Sequence, residues 1–275
     1  MRPNNYRVVK PILDTDNYCG FKLRFRDGFA DRFIMRDMLK RNYGNIPPNP
    51  KVVIDIGAHI GLFTLAAIRS GAEKIYAFEP EASNFELLCH NMEINGYKER
   101  VICINKGVGI PGKAKLYIHP TNSGGSSSDL AESESLNPDN YQVIDIISIH
   151  QVFDLYDMKL PNLTVGVSSP SASSGAKSLR SENSFATPTG LRSVYSRRGI
   201  KYCDLLKIDC EGAEKDIINE FDDDLAKKIG QITVEFHYRN LMDELIVKLS
   251  KWYKAECINK TSHKGGYAWL FKPKQ

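Results

Sequence analysis

The chain has 275 residues, and its 37 Lys and Arg against 33 Asp and Glu give a formal net charge of +4. That excess is too small to indicate a nucleic-acid-binding protein, which needs a clustered basic face, although it allows an anionic substrate. The six cysteines are scattered without a Cys-x-x-Cys pair, so the sequence gives no support for a zinc or redox motif.

The length suits one large α/β domain or two small ones. No run of about 18 apolar residues is present, so we expect no membrane span. Residues 1–10 lack the apolar segment of a secretory signal, and unpaired cysteines suit a reducing compartment. We therefore expect a cytoplasmic protein.

Residues 1–50 predict a β/α extension in front of the core, with a lid over the site as the alternative. Residues 20–25 alternate as a half-exposed strand does, and residues 33–39 have the spacing of an amphipathic helix. Prolines at positions 47, 48 and 50 then end regular structure. We therefore place the core domain at residues 51–275.

The segment 52–64 contains the first motif with a chemical meaning. Residues 52–56 are a Val/Ile run that predicts a strand covered on both faces, as in a parallel sheet. Gly57 allows a sharp turn, and Gly61 allows the next helix to pack close to the strand. The N–H groups at the start of that helix then point to the carboxyl end of the strand, which is where ligands of open α/β sheets bind. The candidate cofactor-binding residues here are Asp55, Ile56, Gly57, Ala58, His59 and Gly61, with the backbone N–H of His59 favoured over its ring.

The glycine spacing argues against a nicotinamide cofactor. A dinucleotide fingerprint has glycines at its first, third and sixth positions, but counted from Gly57 the latter two are His59 and Leu62. No Lys-Ser or Lys-Thr pair follows, as a phosphate-binding loop requires. The pattern Asp-x-Gly-x-x-x-Gly instead resembles the first motif of class I methyltransferases, which bind S-adenosylmethionine.

Residues 74–80 predict a second strand that ends in an acid. Glu79 follows Asp55 by 24 residues. An acid near this spacing commonly accepts hydrogen bonds from the hydroxyls of an adenosine ribose. We therefore predict that Glu79, with Pro80 beside it, binds the ribose of the cofactor. Ser83 and Glu86 fit a capping box for the helix that follows.

The middle of the chain contains one more strand tip and one segment without periodicity. Residues 101–108 predict a third strand, whose tip brings Asn105 and Lys106 to the adenine. Residues 162–200 are rich in serine and arginine and have little apolar patterning. Because long structureless loops are uncommon inside a domain, we predict a disordered insertion there, directly before the fourth strand.

The last part of the chain predicts two more core strands and a hairpin. Residues 203–212 predict the fourth strand, which ends in two acids, and residues 232–237 predict the fifth. Residues 255–258 and 267–271 flank a Gly-Gly pair and predict an antiparallel hairpin. We therefore predict an α/β fold, the class I methyltransferase (Rossmann-like) architecture, with a seven-stranded mixed sheet, helices on both faces and a terminal antiparallel hairpin.

Four segments together resemble the FkbM-type methyltransferase family. They are VIDIGAHIG at 53–61, FEP at 78–80, LLKIDCEGAE at 205–214 and VEFH at 234–237. The third block is the most specific of them. The resemblance implies transfer of a methyl group from S-adenosylmethionine, most often to a hydroxyl of a sugar, a polyketide or another small metabolite.

The candidate catalytic residues follow the fourth and fifth strands. Tips of neighbouring parallel strands lie together, so we expect Asp209, Glu211, Glu235 and His237 to converge. We predict that Asp209 and Glu211 shape the methyl-transfer site, and that His237, whose side chain titrates nearest neutral pH, is the base. Glu211 as a helix cap and His237 as a strand-end histidine are the structural alternatives.

Further alternatives remain open at this point. Glu214 is expected to be a first-turn acid favoured by the helix dipole. Asp209, Glu235 and His237 could hold a divalent cation, although we predict no metal. The acceptor could be a small amine rather than a hydroxyl, or the fold could be a catalytically impaired binding module. The expected partner is a small molecule, without nucleic acid, and the sequence predicts no oligomeric state.

Overall fold

The structure is a computed structural model, and it describes residues 12–18, 20–26, 31, 34–35, 46–120, 122, 124–128, 136–155, 202–237, 239–260 and 267–274. The predicted insertion at 162–200 and most of the predicted helix at 33–39 lie outside these ranges. Strands and helices alternate through the described part of the chain, as the sequence predicts.

The strands are β1 (Ile12–Tyr18), β2 (Phe21–Phe25), β3 (Val52–Ile56), β4 (Lys74–Phe78), β5 (Val101–Ile104), β6 (Gly107–Val108), β7 (Gly112–Tyr117), β8 (Tyr141–Ile147), β9 (Cys203–Ile208), β10 (Ile229–Phe236), β11 (Tyr253–Lys260) and β12 (Tyr267–Pro273). The helices are α1 (Leu62–Arg69), α2 (Ala82–Ile94), α3 (Ile149–Asp154), α4 (Glu214–Asn219), α5 (Asp223–Ala226) and α6 (Arg239–Leu249). None of the helices in these described ranges has both the length and the apolar character needed to cross a bilayer.

Seven strands form the central sheet in the order β11-β12-β10-β9-β3-β4-β5. The strands from β10 to β5 pair in parallel, and β12 pairs antiparallel with both β10 and β11. The prediction of a seven-stranded mixed sheet with a terminal hairpin is therefore confirmed. After β3 the chain builds outward through β4 and β5, and later continues on the other side of β3 with β9. Because ligands of open α/β sheets bind where the order reverses, the carboxyl ends of β3 and β9 mark the expected site.

Helices cover both faces of this sheet, as predicted. Alternate residues of β3 enter different cores: Val53 packs with α1 and α2, whereas Ile54 and Ile56 pack with α3, α4 and α6. Strand side chains alternate between faces, so β3 contributes to both cores and is completely buried. This explains why the residues of the strand are Val or Ile at every position except Asp55.

The N-terminal extension packs on the face that carries α2. β1 and β2 form an antiparallel hairpin, and Leu23 and Phe25 of β2 lie in the same core as α1 and α2. Asn91 of α2 accepts a hydrogen bond from Arg24 N and donates one to Arg24 O. The predicted strand at 20–25 is therefore present as β2, and its backbone bonds to a core helix.

Two local predictions need correction. The strand expected at 101–108 breaks after Ile104, and residues 107–108 instead pair with β8 in a separate three-stranded sheet of order β6-β8-β7. The capping box expected at Ser83 and Glu86 does not form, because Glu81 is the N-cap of α2 and its carboxylate accepts from the N–H groups of Ser83 and Asn84. Both departures involve residues next to the predicted ribose site.

Candidate active site

The turn after β3 is held tightly between its neighbours. Gly57 has φ of 77°, and a Cβ on it would lie 1.7 Å from the carbonyl oxygen of Asp209. The N–H groups of Gly57 and Ala58 both donate to Phe78 O, at 3.0 and 2.9 Å. A Cβ on Gly61 would lie 2.8 Å from Met92 Cε. Gly61 therefore permits close packing against α2, whereas the sequence predicted close packing against the strand.

A buried lysine that the sequence analysis did not select lies at the centre of the site. Lys207 Nζ donates to Gly57 O at 2.6 Å and lies 3.2 Å from Asp55 Oδ1 and 3.3 Å from Asp209 Oδ2. Burial disfavours the ammonium form, but the two carboxylates outweigh it and raise the pKa of Lys207 above its usual value. The sequence does contain one signal for Lys207, namely a charged residue inside an apolar strand. In the structure, Lys207 pairs in register with Asp55 on β3.

The two carboxylates beside Lys207 differ in their exposure. Asp55 is fully buried, and its Oδ2 accepts from the Thr64 hydroxyl at 2.7 Å. Its side chain thus fixes the turn and the start of α1, and direct contact with a cofactor stays a prediction. Asp209 is part exposed; burial opposes its charge, but Lys207 and His237 outweigh burial and lower the pKa of Asp209.

Glu79 lies at the carboxyl end of β4, beside the glycine turn. Its Oε2 accepts from His59 N at 2.8 Å, and its Oε1 accepts from Glu81 N at 2.9 Å and from Asn84 Nδ2 at 3.4 Å. The carboxyl is buried, and burial raises the pKa of Glu79 to about 7. The backbone N–H of His59 is thus already bonded to Glu79, and burial lowers the pKa of the His59 ring to about 4.

The residues predicted beside the adenine brace the Glu79 turn. Asn105 Nδ2 donates to the carbonyl oxygens of Glu79 and Pro80, at 2.9 and 3.1 Å. Gln142 of β8 also donates to Pro80 O, at 2.7 Å. Lys106 points its Nζ towards Asp145, at 3.7 Å. Asn105 is therefore placed to set the shape of the turn, while binding of adenine by Asn105 or Lys106 stays a prediction.

His237 lies among three carboxylates after β10. Its Nδ1 is 2.9 Å from Glu214 Oε1, and its Nε2 is 3.6 Å from Glu211 Oε1 and 3.7 Å from Asp209 Oδ1. Burial disfavours the imidazolium, but the carboxylates outweigh it and raise the pKa of His237 well above its usual value. These surroundings correct the expectation that His237 titrates near neutral pH, because the carboxylates favour the imidazolium. An imidazolium has no nitrogen that can accept a proton.

The loop after β9 holds Glu211 in an unusual conformation. Glu211 has φ of 49°, in the left-handed region that a residue with a Cβ seldom adopts. Ser127 Oγ donates to Glu211 O at 2.9 Å, and Glu214 accepts from the N–H groups of Cys210 and Gly212. Glu214 is thus the first residue of α4, as predicted, and also the residue that closes this loop.

The structure brings together most of the predicted catalytic residues. Nε2 of His237 lies within 4 Å of a carboxylate oxygen of Asp209 and of one of Glu211. Glu235 lies on β10 opposite Ala268, on the face that also carries Thr233, which pairs in register with Lys207. Across the described ranges, no group of three or more His, Cys, Asp or Glu side chains has the geometry of a metal site.

A family model described as the methyltransferase FkbM domain matches residues 55–257. AMB antimetabolite synthetase AmbE of Pseudomonas aeruginosa is 27% identical over 237 residues, which are 86% of this chain and 10% of that protein. The chain thus spans only a small part of the synthetase. Methyltransferase sdnD of Sordaria araneosa is 26% identical over 196 residues, which are 70% of this chain and 68% of that protein.

Solved structures with a similar course of the chain include methyltransferases of low sequence identity. A SAM-dependent O-methyltransferase of Thermotoga maritima has 12% identity and a TM-score of 0.41, and the match covers 87% of this chain and 65% of that one. TYW2 of M. jannaschii, solved in complex with AdoMet, has 13% identity and a TM-score of 0.39, with 92% and 82% covered. These matches carry no inference about the substrate. The match to the family model covers most of the chain, including the glycine turn and both acidic strand ends. The chain therefore belongs to the FkbM family of S-adenosylmethionine-dependent methyltransferases.

Proposed function

We propose that the protein transfers a methyl group from S-adenosylmethionine to a hydroxyl of a small molecule, such as a sugar or a polyketide. The observation that carries this proposal is the buried Glu79 carboxylate at the tip of β4, next to the glycine turn. Among the described contacts, Oε2 of Glu79 accepts one hydrogen bond. A carboxylate oxygen has two lone pairs, so Oε2 can also accept from a ribose hydroxyl.

The residues around the turn fit the rest of the cofactor. Gly57 and Gly61 place no side chain at the two ends of the turn, and the carboxyl ends of β3 and β9 meet at the point where the sheet order reverses. Asp209 and Glu211 add carboxylates at that edge, which suit a positively charged sulfur. The cofactor-binding roles of Ile56, Ala58, Pro80, Asn105 and Lys106 remain part of the proposal.

The proposed mechanism assigns a role to each group at the acidic edge. When bound, S-adenosylmethionine supplies a methyl group activated by its positive sulfur. Glu211 would accept the proton of the acceptor hydroxyl. The cofactor, when bound, would supply its methyl group to the hydroxyl oxygen, and its sulfur would retain the electron pair of the broken carbon–sulfur bond. His237, as an imidazolium, holds Glu211 and Asp209 in place, so that alignment supplies much of the rate enhancement.

An amine acceptor is the second candidate, and the local charge favours it. Asp209, Glu211 and Glu214 outnumber the cations Lys207 and His237, so the site would attract an ammonium group. An ammonium group must also lose a proton before it accepts the methyl group, but it loses it far more readily than a hydroxyl does and so needs less help from a base. Glu211→Gln is therefore expected to slow transfer to a hydroxyl strongly and transfer to an amine only slightly. Cofactor binding without turnover of any acceptor would instead indicate a binding module.

Calorimetry with S-adenosylhomocysteine tests the cofactor part of the proposal. We expect the protein to bind this ligand at pH 7.5, and Glu79→Gln to weaken binding at least about tenfold, because a hydrogen bond to a charged group contributes about 1.5–3 kcal/mol. Glu93→Gln is the matched control, since Glu93 lies on the exposed surface of α2. No binding at millimolar ligand, or equal affinity of the Glu79 variant, contradicts the proposal.

A further inference from the structure

The N-terminal extension reaches the predicted ribose site through Arg26. The Arg26 side chain is buried and binds Asp31 through two nitrogens, with Nε 3.1 Å from Oδ2 and Nη2 3.2 Å from Oδ1. Asp31 is also buried and accepts from Arg26 N at 2.9 Å. This double contact fixes the plane of the guanidinium, which leaves its outer nitrogens directed at α2.

The outer nitrogens of Arg26 bind the first turn of α2. Nη1 donates to Ser83 Oγ at 2.6 Å, and Nη2 donates to Asn84 Oδ1. Because Asn84 Oδ1 accepts from Arg26, its other amide atom, Nδ2, is turned towards Glu79 Oε1, 3.4 Å away. The flat amide of Asn84 thus links the guanidinium to the carboxylate that the proposed function assigns to the ribose.

We propose that Arg26 is a positioning residue for the cofactor, which holds the Asn84 amide in the orientation that donates to Glu79. This inference rests on the proposed function, because it assumes that Glu79 binds the ribose. It gives the extension a part in the cofactor site, although the family match begins only at residue 55. The sequence analysis assigned no site residue to the extension.

Several charged groups surround Glu79 and affect its ionisation. The negative charge of Glu81, at the N-cap of α2, disfavours ionisation of Glu79, and Asn84 favours it by donating a hydrogen bond. Arg26 lies 3.7 Å from Glu81 Oε2, and His59 lies 3.7 Å from Asp31. Lys106 on the other side is directed at Asp145. Loss of the Asn84 hydrogen bond should therefore make the ionised form of Glu79 less favourable.

The test measures the affinity for S-adenosylhomocysteine by calorimetry between pH 5.5 and 9. The ribose needs an ionised Glu79, so we expect the affinity of the unchanged protein to fall below a midpoint near pH 7. A charge-assisted hydrogen bond of ordinary length shifts a pKa by about one unit, and this one is long, so Asn84→Ala should raise the midpoint by about half a pH unit. Binding at pH 6 then weakens about threefold.

Arg26→Lys separates orientation from charge, because it keeps the positive charge and loses the fixed fork of donors. It should raise the midpoint as Asn84→Ala does, and the double variant should show no further rise, since both changes remove one hydrogen bond. Arg24→Lys, on β2 two residues earlier in the chain, is the matched control and should leave the midpoint unchanged. Asp31→Asn, which loosens the guanidinium without removing it, should raise the midpoint in the same direction and replaces Arg26→Lys if that variant fails to fold.

The outcomes separate this inference from the proposed function. If the unchanged protein does not bind S-adenosylhomocysteine at any pH, the proposed function falls and the inference with it. If the protein binds with a midpoint near pH 7 and neither Arg26→Lys nor Asp31→Asn moves that midpoint, only the role of Arg26 is refuted. Additive shifts in the Arg26/Asn84 double variant also refute it, because the two residues would then act independently.

Discussion

Replacing Lys207 by methionine should destabilise the protein strongly, because it leaves a buried carboxylate without its cation. The Lys207 side chain is 4% exposed and the Asp55 side chain is fully buried, with 3.2 Å between Nζ and Oδ1. Methionine fills a similar space, so the loss is mainly electrostatic. Breaking a buried ion pair from one side costs about 3–5 kcal/mol. Asp55 keeps its hydrogen bond from Thr64, so we expect a value near the lower end, about 3 kcal/mol.

Urea unfolding of four proteins measures this contribution: the unchanged protein, Lys207→Met, Asp55→Asn and the double variant. The double variant removes both charges, so it should regain most of the stability that Lys207→Met loses. Lys227→Met is the matched control, because Lys227 and its partner Asp224 are both exposed. A Lys207→Met protein within about 1 kcal/mol of the unchanged one, or a double variant no more stable than Lys207→Met, would refute this account of the centre.

Three further predictions concern the turn and the acidic edge. Gly57→Ala should abolish folding or cofactor binding, because its Cβ would overlap the backbone of Asp209, whereas Gly20→Ala, with a positive φ but open space around it, should lower the melting temperature only slightly. His237→Gln should lower the free energy of unfolding, by an amount that is largest below about pH 6.5 and disappears as the pH rises through the raised pKa of His237. Unfolding curves of the two proteins, measured from pH 6 to 10, should therefore converge at high pH. Asn105→Asp places a carboxylate against two backbone carbonyls of the Glu79 turn. It should therefore weaken binding of S-adenosylhomocysteine, measured by calorimetry, at least tenfold, or about 1.4 kcal/mol. Equal affinity would show that the turn keeps its shape without the amide.

The sequence predicts those parts of the fold that depend on local patterns. β3 is recognisable because both of its faces are buried, which leaves Val or Ile at every position except Asp55. Gly57 and Gly61 are recognisable because only glycine tolerates their positive φ values and close neighbours. The terminal hairpin follows from alternation around a Gly-Gly pair. Each of these patterns spans only a few residues of the sequence, although the neighbours that require it, such as Asp209 beside Gly57, are distant in the chain.

The parts that the sequence could not predict depend on contacts between distant segments. Lys207 gains its role only when β9 lies in register beside β3, and that register is set by tertiary packing. The charge of His237 depends on carboxylates of the segment 209–214, which is distant from His237 in the chain. The cap of α2 is an exception, because that contact is local: the carboxylate of Glu81, rather than the side chain of Ser83, accepts from the free N–H groups. Composition and periodicity do not encode such contacts.

The pairing of β3 with β9 also bears on how the chain folds during its synthesis. Gly57 and Lys207 are bonded to each other although 150 residues separate them. A ribosome therefore releases β3, β4 and β5 well before the strand that neutralises Asp55 exists, and closing so long a loop is slow. Until β9 arrives, the nascent chain exposes an apolar sheet edge with an acid at its centre, which is a binding surface for chaperones. The cofactor site therefore cannot assemble before β9 has been synthesised.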